Sequence, residues 1–225
     1  MYGFRIPPVI KNLIIINILI YLAQYTMGAA WDARLTELFG LHDVHSQYFR
    51  IHQLITYAFL HGNWPHVLYN MLFLWLFGSS LENHWGPKRF LTFYMVSAIG
   101  AAVVHLAVLY TETNSIMHSL YQYSPEDQQE LIARVNLMAT VGASGAVFGC
   151  MAAMGWLFPN QHLMIYGLFP LKVKWFVLIY AAGELFSGIH TTAGDNVAHW
   201  AHLGGGLVGL LLVLYWNRTD RRNFY

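Results

Sequence analysis

The chain has 225 residues, of which 56% are hydrophobic and only 10% are Asp, Glu, Lys or Arg. Soluble domains carry about 25% charged residues, so this composition excludes a water-soluble globule and a disordered chain. A formal net charge of +1 excludes a basic surface for nucleic acid. Cys150 is the only cysteine, which excludes an internal disulfide framework and a thiolate metal cluster. The remaining class is an integral membrane protein, with the lipid bilayer as a partner.

The spacing of the charged residues predicts six membrane-spanning helices. A span needs about 20 residues with few charges, and the chain contains five uncharged runs of 20 to 37 residues. A sixth apolar stretch carries Glu184 in its middle. We found no repeat of 20–50 residues and no Gly/Ser-rich linker, so we expect one all-α domain over residues 1–225 with a core at about 12–216. The predicted helices cover residues 12–29, 64–83, 90–110, 143–158, 174–190 and 197–216.

The basic residues predict the orientation of these helices. Six spans place both termini and the second and fourth connections on one side of the membrane, together with nine of the twelve Lys and Arg residues. The positive-inside rule then makes both short terminal tails cytoplasmic. We expect a multi-pass protein of a bacterial inner (plasma) membrane. The nine residues are Arg5, Lys11, Lys88, Arg89, Lys172, Lys174, Arg218, Arg221 and Arg222.

Two long external connections, residues 31–63 and 111–142, also carry predictions. The first is too apolar for a free loop and is expected to form short amphipathic helices in the membrane interface. In the second, Ser124 is a favourable N-cap, Pro125 suits the first helical position and two acidic residues follow. A helix is therefore predicted to begin at residue 124 or 125.

Polar residues are costly inside a span, and here they fall into three clusters. The clusters are His61–Asn70 at the start of the second span, Gly142–Gly149 at the start of the fourth and His199–Gly209 in the sixth. The predicted topology places all three toward the external side at comparable depth. Residues far apart in sequence are therefore expected to meet in one layer of the bilayer.

Ser144 and His202 are the candidate reacting pair among these clusters. A serine hydroxyl becomes a nucleophile when a neighbouring imidazole accepts its proton. Their two helices can approach closely, because glycines at spacing four are typical of helices whose backbones touch. Those glycines are Gly145 and Gly149 on one helix and Gly205 and Gly209 on the other.

Acyl transfer also needs hydrogen-bond donors for the oxyanion that develops on the substrate. Ser144 begins its helix, where backbone N–H groups lack an internal partner. His66 and Asn70 lie one turn apart on one helix face, and both side chains can donate. Asp195 precedes His202 by two turns, about 10.5 Å, and cannot reach its ring. The residues therefore indicate a Ser–His dyad.

The three clusters resemble the motifs of the rhomboid intramembrane serine proteases. Gly142-Ala-Ser144-Gly145 is similar to the family's Gly-x-Ser-Gly motif. Ala201-His202-x-x-Gly205-x-x-x-Gly209 is similar to its Ala-His-x-x-Gly-x-x-x-Gly motif. The second-span pattern His66-x-x-x-Asn70, with His61 upstream, completes the likeness in the family's order. The resemblance covers roughly residues 50–216.

This resemblance implies a six-helix rhomboid-like bundle that cleaves transmembrane proteins without a metal or other cofactor. It implies that Ser144 is the nucleophile, that His202 is the general base, and that His66, Asn70 and the Ser144 N–H stabilise the oxyanion. The same likeness gives supporting roles to Gly142, Gly145, Phe148, His61, Gly205 and Gly209, with Phe148 packed on the imidazole, and a structural role to Glu82. One departure concerns the first external loop, where many members carry Trp-Arg and this chain has His52-Gln53.

Other interpretations of the same residues stay open. The chain could be a catalytically idle rhomboid-like protein that binds membrane helices, or a small transporter with a histidine-lined path. His42 with His45, or His199 with His202, could bind zinc, although no cysteine or acidic partner is expected to accompany the second pair within the spans. Glu184 is expected to be hydrogen-bonded or neutral in the bundle interior.

Overall fold

The computed structural model describes residues 6–165, 169–190 and 197–219, and most of them are helical. Because a backbone in an apolar environment must satisfy its own hydrogen bonds, helices are the expected solution for so apolar a chain. In chain order the helices are α1 (Pro8–Thr26), α2 (Ala29–Phe39), α3 (Gln53–Thr56), α4 (Trp64–Phe73), α5 (Ser79–Trp85), α6 (Pro87–Ser119), α7 (Pro125–Leu137), α8 (Ser144–Leu157), α9 (Val173–Ile189) and α10 (His199–Thr219).

A helix lies at each of the six predicted spans. The second is interrupted by a π-helical turn, Leu74–Gly78, which joins α4 to α5. The third is longer than predicted, because α6 continues through polar residues to Ser119. Among the described residues, three helices are long and apolar enough to cross a membrane, namely Pro8–Thr26, Pro87–Gln122 and His199–Thr219. The structure thus shows a helical membrane protein, and the count of six spans stays a prediction.

Two small antiparallel strand pairs qualify the all-α expectation. β1 (Leu41–His42) pairs with β2 (Ala139–Thr140), and β3 (His162–Ile165) pairs with β4 (Phe169–Lys172). The second pair lies in the connection between α8 and α9. It is a hairpin whose strands supply each other with backbone hydrogen-bond partners. The first pair also brings the two external connections together.

The helices predicted within the external connections are present. The first connection contains α2 and the short α3. In the second, α7 begins at Pro125, and the Ser124 hydroxyl accepts a hydrogen bond from the backbone N–H of Asp127 at 3.2 Å. The predicted helix start is therefore confirmed. Of the basic residues used for the orientation, Arg5, Arg221 and Arg222 lie outside the described residues.

Helix α8 is the central element of the bundle and packs directly on the backbone of α10. The Cβ of an alanine at position 205 would overlap the carbonyl group of Gly145, and one at position 209 would lie 2.7 Å from Gly149 Cα. On its other side α8 contacts α6, since a Cβ at Gly145 would lie 2.5 Å from Ala101 Cβ. The close helix approach expected from the glycine spacing is thus confirmed.

Glu82 joins the end of the second span to the start of the first. Its buried carboxylate accepts hydrogen bonds from the backbone N–H groups of Val9 at 2.9 Å and Ile10 at 2.8 Å. These are among the first N–H groups of α1, which have no partner within the helix. A negative charge at a helix N-terminus is also favourable. The carboxylate therefore stabilises α1 and holds it against α5.

We predict that Gly205→Ala lowers the free energy of unfolding by at least about 2 kcal/mol, because overpacking a close helix contact forces the backbones apart. Gly206→Ala is the matched control, since a Cβ there meets only Phe148 O at 3.8 Å. Denaturant titration in detergent micelles measures both variants. Equal stability of the two variants would contradict the described packing of α8 on α10.

We also predict that Glu82→Ala destabilises the fold by about 2–3 kcal/mol, because two buried N–H groups lose a charged acceptor. Glu112→Ala, which removes an exposed carboxylate of α6, is the control and should change stability little. The same titration applies. A Glu82→Ala protein as stable as the control would show that Glu82 does not hold α1.

Candidate active site

Ser144 is the first residue of α8, and the turn before it is held in place by a glycine. Gly142 has φ +131°, a conformation that L side chains rarely adopt. The Gly142 N–H donates to the Tyr57 carbonyl at 2.9 Å, and the Tyr57 hydroxyl donates to Ala98 O at 2.8 Å. Tyr57 thereby anchors this turn against α6. The sequence offered no motif for Tyr57, which acts through its backbone carbonyl.

Ser144 and His202 meet directly, 58 residues apart in sequence. The Ser144 Oγ and His202 Nε2 atoms lie 2.8 Å apart, a hydrogen-bond distance. The Phe148 ring stacks on the imidazole with 4.5 Å between centroids and 8° between planes. That stack and the hydrogen bond together restrict the rotation of the imidazole. An imidazole so placed can accept the hydroxyl proton and make the oxygen nucleophilic.

His66 approaches Ser144 from α4, and Asn70 lies one turn further along the same helix. A Cβ built on Gly142 would lie 2.7 Å from His66 Nε2 and 3.6 Å from Ser144 Oγ, so both polar atoms flank one small volume. The Gly62 N–H donates to His66 Nδ1 at 3.4 Å, which leaves Nε2 as the protonated nitrogen. The buried Asn70 Nδ2 has no hydrogen-bond partner among the described residues. His66 Nε2 is thus a donor beside Ser144, and the unpartnered Asn70 amide follows it one turn further along α4.

His61 lies behind His66 in the connection that precedes α4. It is buried, and its ring packs edge-on against the His66 ring at 5.1 Å. Burial, with a smaller contribution from His66, lowers the pKa of His61 to about 3, so its ring is neutral. A neutral ring in this position supports His66 by packing and adds no positive charge to the site.

Glu184 of α9 is the residue whose place the sequence did not reveal. Its Oε2 atom lies 2.8 Å from His202 Nδ1 and 2.7 Å from His199 Nδ1. The three side chains are only 11–12% exposed. The expected hydrogen bonding of Glu184 is therefore confirmed, whereas the expectation that the His199 and His202 pair has no acidic partner is wrong. The partner comes from a different helix, which spacing within α10 could not reveal.

One signal could have identified this contact. Glu184 lies in the C-terminal half of α9, and His202 lies in the first turn of α10. An intramembrane carboxylate at the depth of a polar cluster is expected to pair with it.

Since the ligand atoms of Glu184, His199 and His202 lie within 4.8 Å of one another, the same group could also hold a metal ion. Asp195 lies outside the described residues.

The other proposed zinc pair, His42 and His45, makes separate hydrogen bonds. His45 Nδ1 lies 2.7 Å from Asp43 Oδ1, and His42 Nδ1 lies 3.1 Å from the Asn136 carbonyl. The two rings thus take part in holding the external connections together. Their arrangement indicates a structural role for both histidines.

His52 and Gln53, which stand where many rhomboid proteins carry Trp-Arg, anchor the first external loop. The buried Gln53 amide accepts a hydrogen bond from Arg50 N at 3.1 Å and donates one to Tyr48 O at 2.9 Å. The His52 Nε2 atom lies 2.8 Å from Leu38 O. The neutral amide therefore satisfies backbone groups of the loop that precedes it.

Comparison with known proteins shows which protein family the chain is similar to. A family profile described as "Rhomboid domain" matches residues 47–218. The RHOMBOID-like protein 12, mitochondrial, of Arabidopsis thaliana is 30% identical over 177 residues, which are 78% of this chain and 48% of that protein. The Rhomboid protein 1, mitochondrial, of Saccharomyces cerevisiae is 29% identical over 163 residues, 72% of this chain and 41% of the relative.

A bacterial relative matches a similar stretch. The Rhomboid protease GlpG of Yersinia pestis is 24% identical over 178 residues, which are 79% of this chain and 52% of that protein. The chain spans about half the length of these curated relatives. Because their names place them in mitochondria as well as in bacteria, the comparisons support a membrane protein and give no preference to a bacterial plasma membrane.

We predict that Gln53→Ala destabilises the protein by about 2 kcal/mol, since several loop backbone groups lose their partner in a buried setting. Gln47→Ala is the matched control, because that side chain is exposed. Thermal unfolding in detergent and the rate of protease cleavage within residues 41–53 measure the effect. A loop that resists cleavage equally in both variants would contradict the anchoring role of Gln53.

Proposed function

This chain belongs to the rhomboid family, and from that premise we propose that it is an intramembrane serine endopeptidase. Its substrates are the transmembrane segments of other membrane proteins. The single observation that carries the proposal is the 2.8 Å contact between Ser144 Oγ and His202 Nε2, with Phe148 stacked on the imidazole. A serine in an apolar helix usually bonds to a neighbouring carbonyl, whereas this one faces an aligned base.

The reaction follows from the position of each proton. His202 Nε2 accepts the proton of the Ser144 hydroxyl while Oγ attacks the carbonyl carbon of the scissile peptide bond. The resulting imidazolium then gives that proton to the leaving amine, and the C–N bond breaks. A water molecule, deprotonated by the same nitrogen, hydrolyses the acyl-enzyme and restores the Ser144 hydroxyl.

The oxyanion of the tetrahedral intermediate is stabilised by three donors. The N–H of Ser144 belongs to the first turn of α8, where backbone donors have no partner within the helix. His66 Nε2 flanks the volume beside Ser144 Oγ, and Asn70 Nδ2, one turn further along the same helix, has no partner among the described residues. A single donor of this kind accounts for about 100- to 1,000-fold in kcat.

The substrate class follows from the surroundings of the site. A transmembrane helix that left the bilayer would expose its apolar side chains to water, so substrate is expected to enter from the lipid between helices. The peptide bond must leave its helical conformation locally before Oγ can reach its carbonyl. We propose six spans with both termini on the side rich in Lys and Arg, which is the cytoplasmic side by the positive-inside rule.

The test is cleavage of a transmembrane reporter by the purified protein in detergent, with labelling by a fluorophosphonate probe. We expect Ser144→Ala and His202→Ala to lower kcat/KM by at least about 1,000-fold, as removal of a nucleophile or base does in soluble serine proteases. Ser115→Ala and His118→Ala, which alter residues of α6 outside the site, should retain parental activity.

Two results would overturn the proposal. Cleavage that persists in Ser144→Ala would exclude the serine mechanism. A parent that neither cleaves nor labels, while it still co-purifies with the reporter, would indicate a catalytically idle protein that binds membrane helices. Ser144, His202, His66 and Asn70 are all present in this chain. We therefore expect the parent to cleave the reporter and Ser144→Ala and His202→Ala to lose that activity.

A further inference from the structure

We propose that Glu184 is a positioning residue for His202, so that the site operates as a Ser144–His202–Glu184 triad and not as a dyad. This inference rests on the proposed function and concerns the same site. It follows from hydrogen bonds between two helices, α9 and α10, which no motif within either helix contains.

The direction of the hydrogen bonds follows from the chemistry of the groups. If the Ser144 hydroxyl donates to His202 Nε2, the neutral imidazole carries its proton on Nδ1. A carboxylate can only accept, and Glu184 Oε2 lies 2.8 Å from that Nδ1. The carboxylate therefore stabilises the one tautomer in which Nε2 can act as a base. An imidazole free to exchange tautomers would spend part of its time with Nε2 protonated and inert.

His199 explains how the carboxylate keeps its place. His199 precedes His202 by three residues, so both rings lie on one face of α10. Its Nδ1 lies 2.7 Å from the same Oε2 atom. Two donors on one oxygen offset the cost of burying a carboxylate in an apolar bundle. His199 thus fixes Glu184 at the midpoint between two imidazoles, and Glu184 fixes the ring of His202.

Glu184 also acts during the reaction. When Nε2 accepts the Ser144 proton, His202 becomes an imidazolium beside a carboxylate that is only 11% exposed. The attraction between opposite charges is larger in such a setting than in water. The Nδ1 proton stays on the imidazole, and Glu184 remains ionised throughout. This is the role of the buried aspartate in the soluble serine-protease triad.

A metal ion would make the opposite prediction for the same three side chains. With a cation on His202 Nδ1, that nitrogen would carry no proton, and Glu184 would act as a ligand. Activity or stability would then depend on the metal. The hydrogen-bond distances of 2.7 and 2.8 Å favour the triad, because both fit an N–H donating directly to the carboxylate.

The experiment compares Glu184→Gln with the parent in the reporter assay, after a check that both have the same unfolding midpoint in detergent. We expect kcat to fall by about 100- to 10,000-fold, the range for loss of a base or its orienting carboxylate, with little change in KM. Glu184→Asp, which keeps the charge, should recover part of kcat. Glu130→Gln, which alters an exposed carboxylate of α7, is the matched control.

A second readout does not depend on turnover. In a sample with ¹⁵N-labelled histidine, the Nδ1 proton of His202 should give a strongly deshielded proton resonance. We expect that resonance to remain in Ser144→Ala and to disappear in Glu184→Gln and His202→Ala. Its presence in Glu184→Gln would overturn the proposed hydrogen bond. This measurement also covers the case in which Glu184→Gln is too unstable to assay, since Glu184→Asp should retain the resonance.

The outcomes separate this inference from the function on which it rests. A parent without cleavage or labelling would overturn the proposed function and the inference together. An active parent whose Glu184→Gln variant keeps the parental kcat would overturn the inference alone and leave the dyad. Stoichiometric zinc in the parent that Glu184→Gln lacks, with activity lost to a chelator, would also overturn it in favour of a metal site.

Discussion

The direct contact between the backbones of α8 and α10 is the constraint on which the site depends. Gly145 and Gly205 allow the two helices to approach until there is no room for a Cβ between them. Ser144 and His202 are each adjacent in sequence to this contact region, so the separation of the helices sets the distance between Oγ and Nε2. In a membrane, where lipid is as apolar as leucine, such close packing supplies much of the force that holds helices together.

Three polar side chains of this bundle form hydrogen bonds that join separate segments. Glu82 accepts from the first turn of α1, and Glu184 accepts from two histidines of α10. Gln53 likewise hydrogen-bonds to backbone groups of the first external loop. Because each group would be expensive if left unpaired in an apolar setting, each also fixes the relative position of two segments. These polar groups therefore help to fix how the segments are arranged relative to one another, whereas the apolar surface makes the protein a membrane protein.

Asn70 is one of several buried polar groups among the described residues that this pattern leaves unpaired. Its amide nitrogen lacks a partner there, whereas Ser144 and His202 are hydrogen-bonded to each other. A donor of this kind is costly at rest. It becomes favourable when a negative oxygen develops beside it, which is the condition expected during acyl transfer. The proposed reaction thus explains why an unpaired donor is kept at this position: it would bind the developing oxyanion.

The sequence by itself determined the membrane class, the approximate places of the helices and the pairing of Ser144 with His202. These features follow from local patterns: the spacing of charges, the glycines at spacing four and the motifs at helix starts. Only the tertiary structure decided the partner of His202 Nδ1, the strand pair between the two external connections and the anchoring of Gly142 by Tyr57. Each of these joins separate segments through one hydrogen-bond geometry, and a one-dimensional pattern does not record which helix faces which.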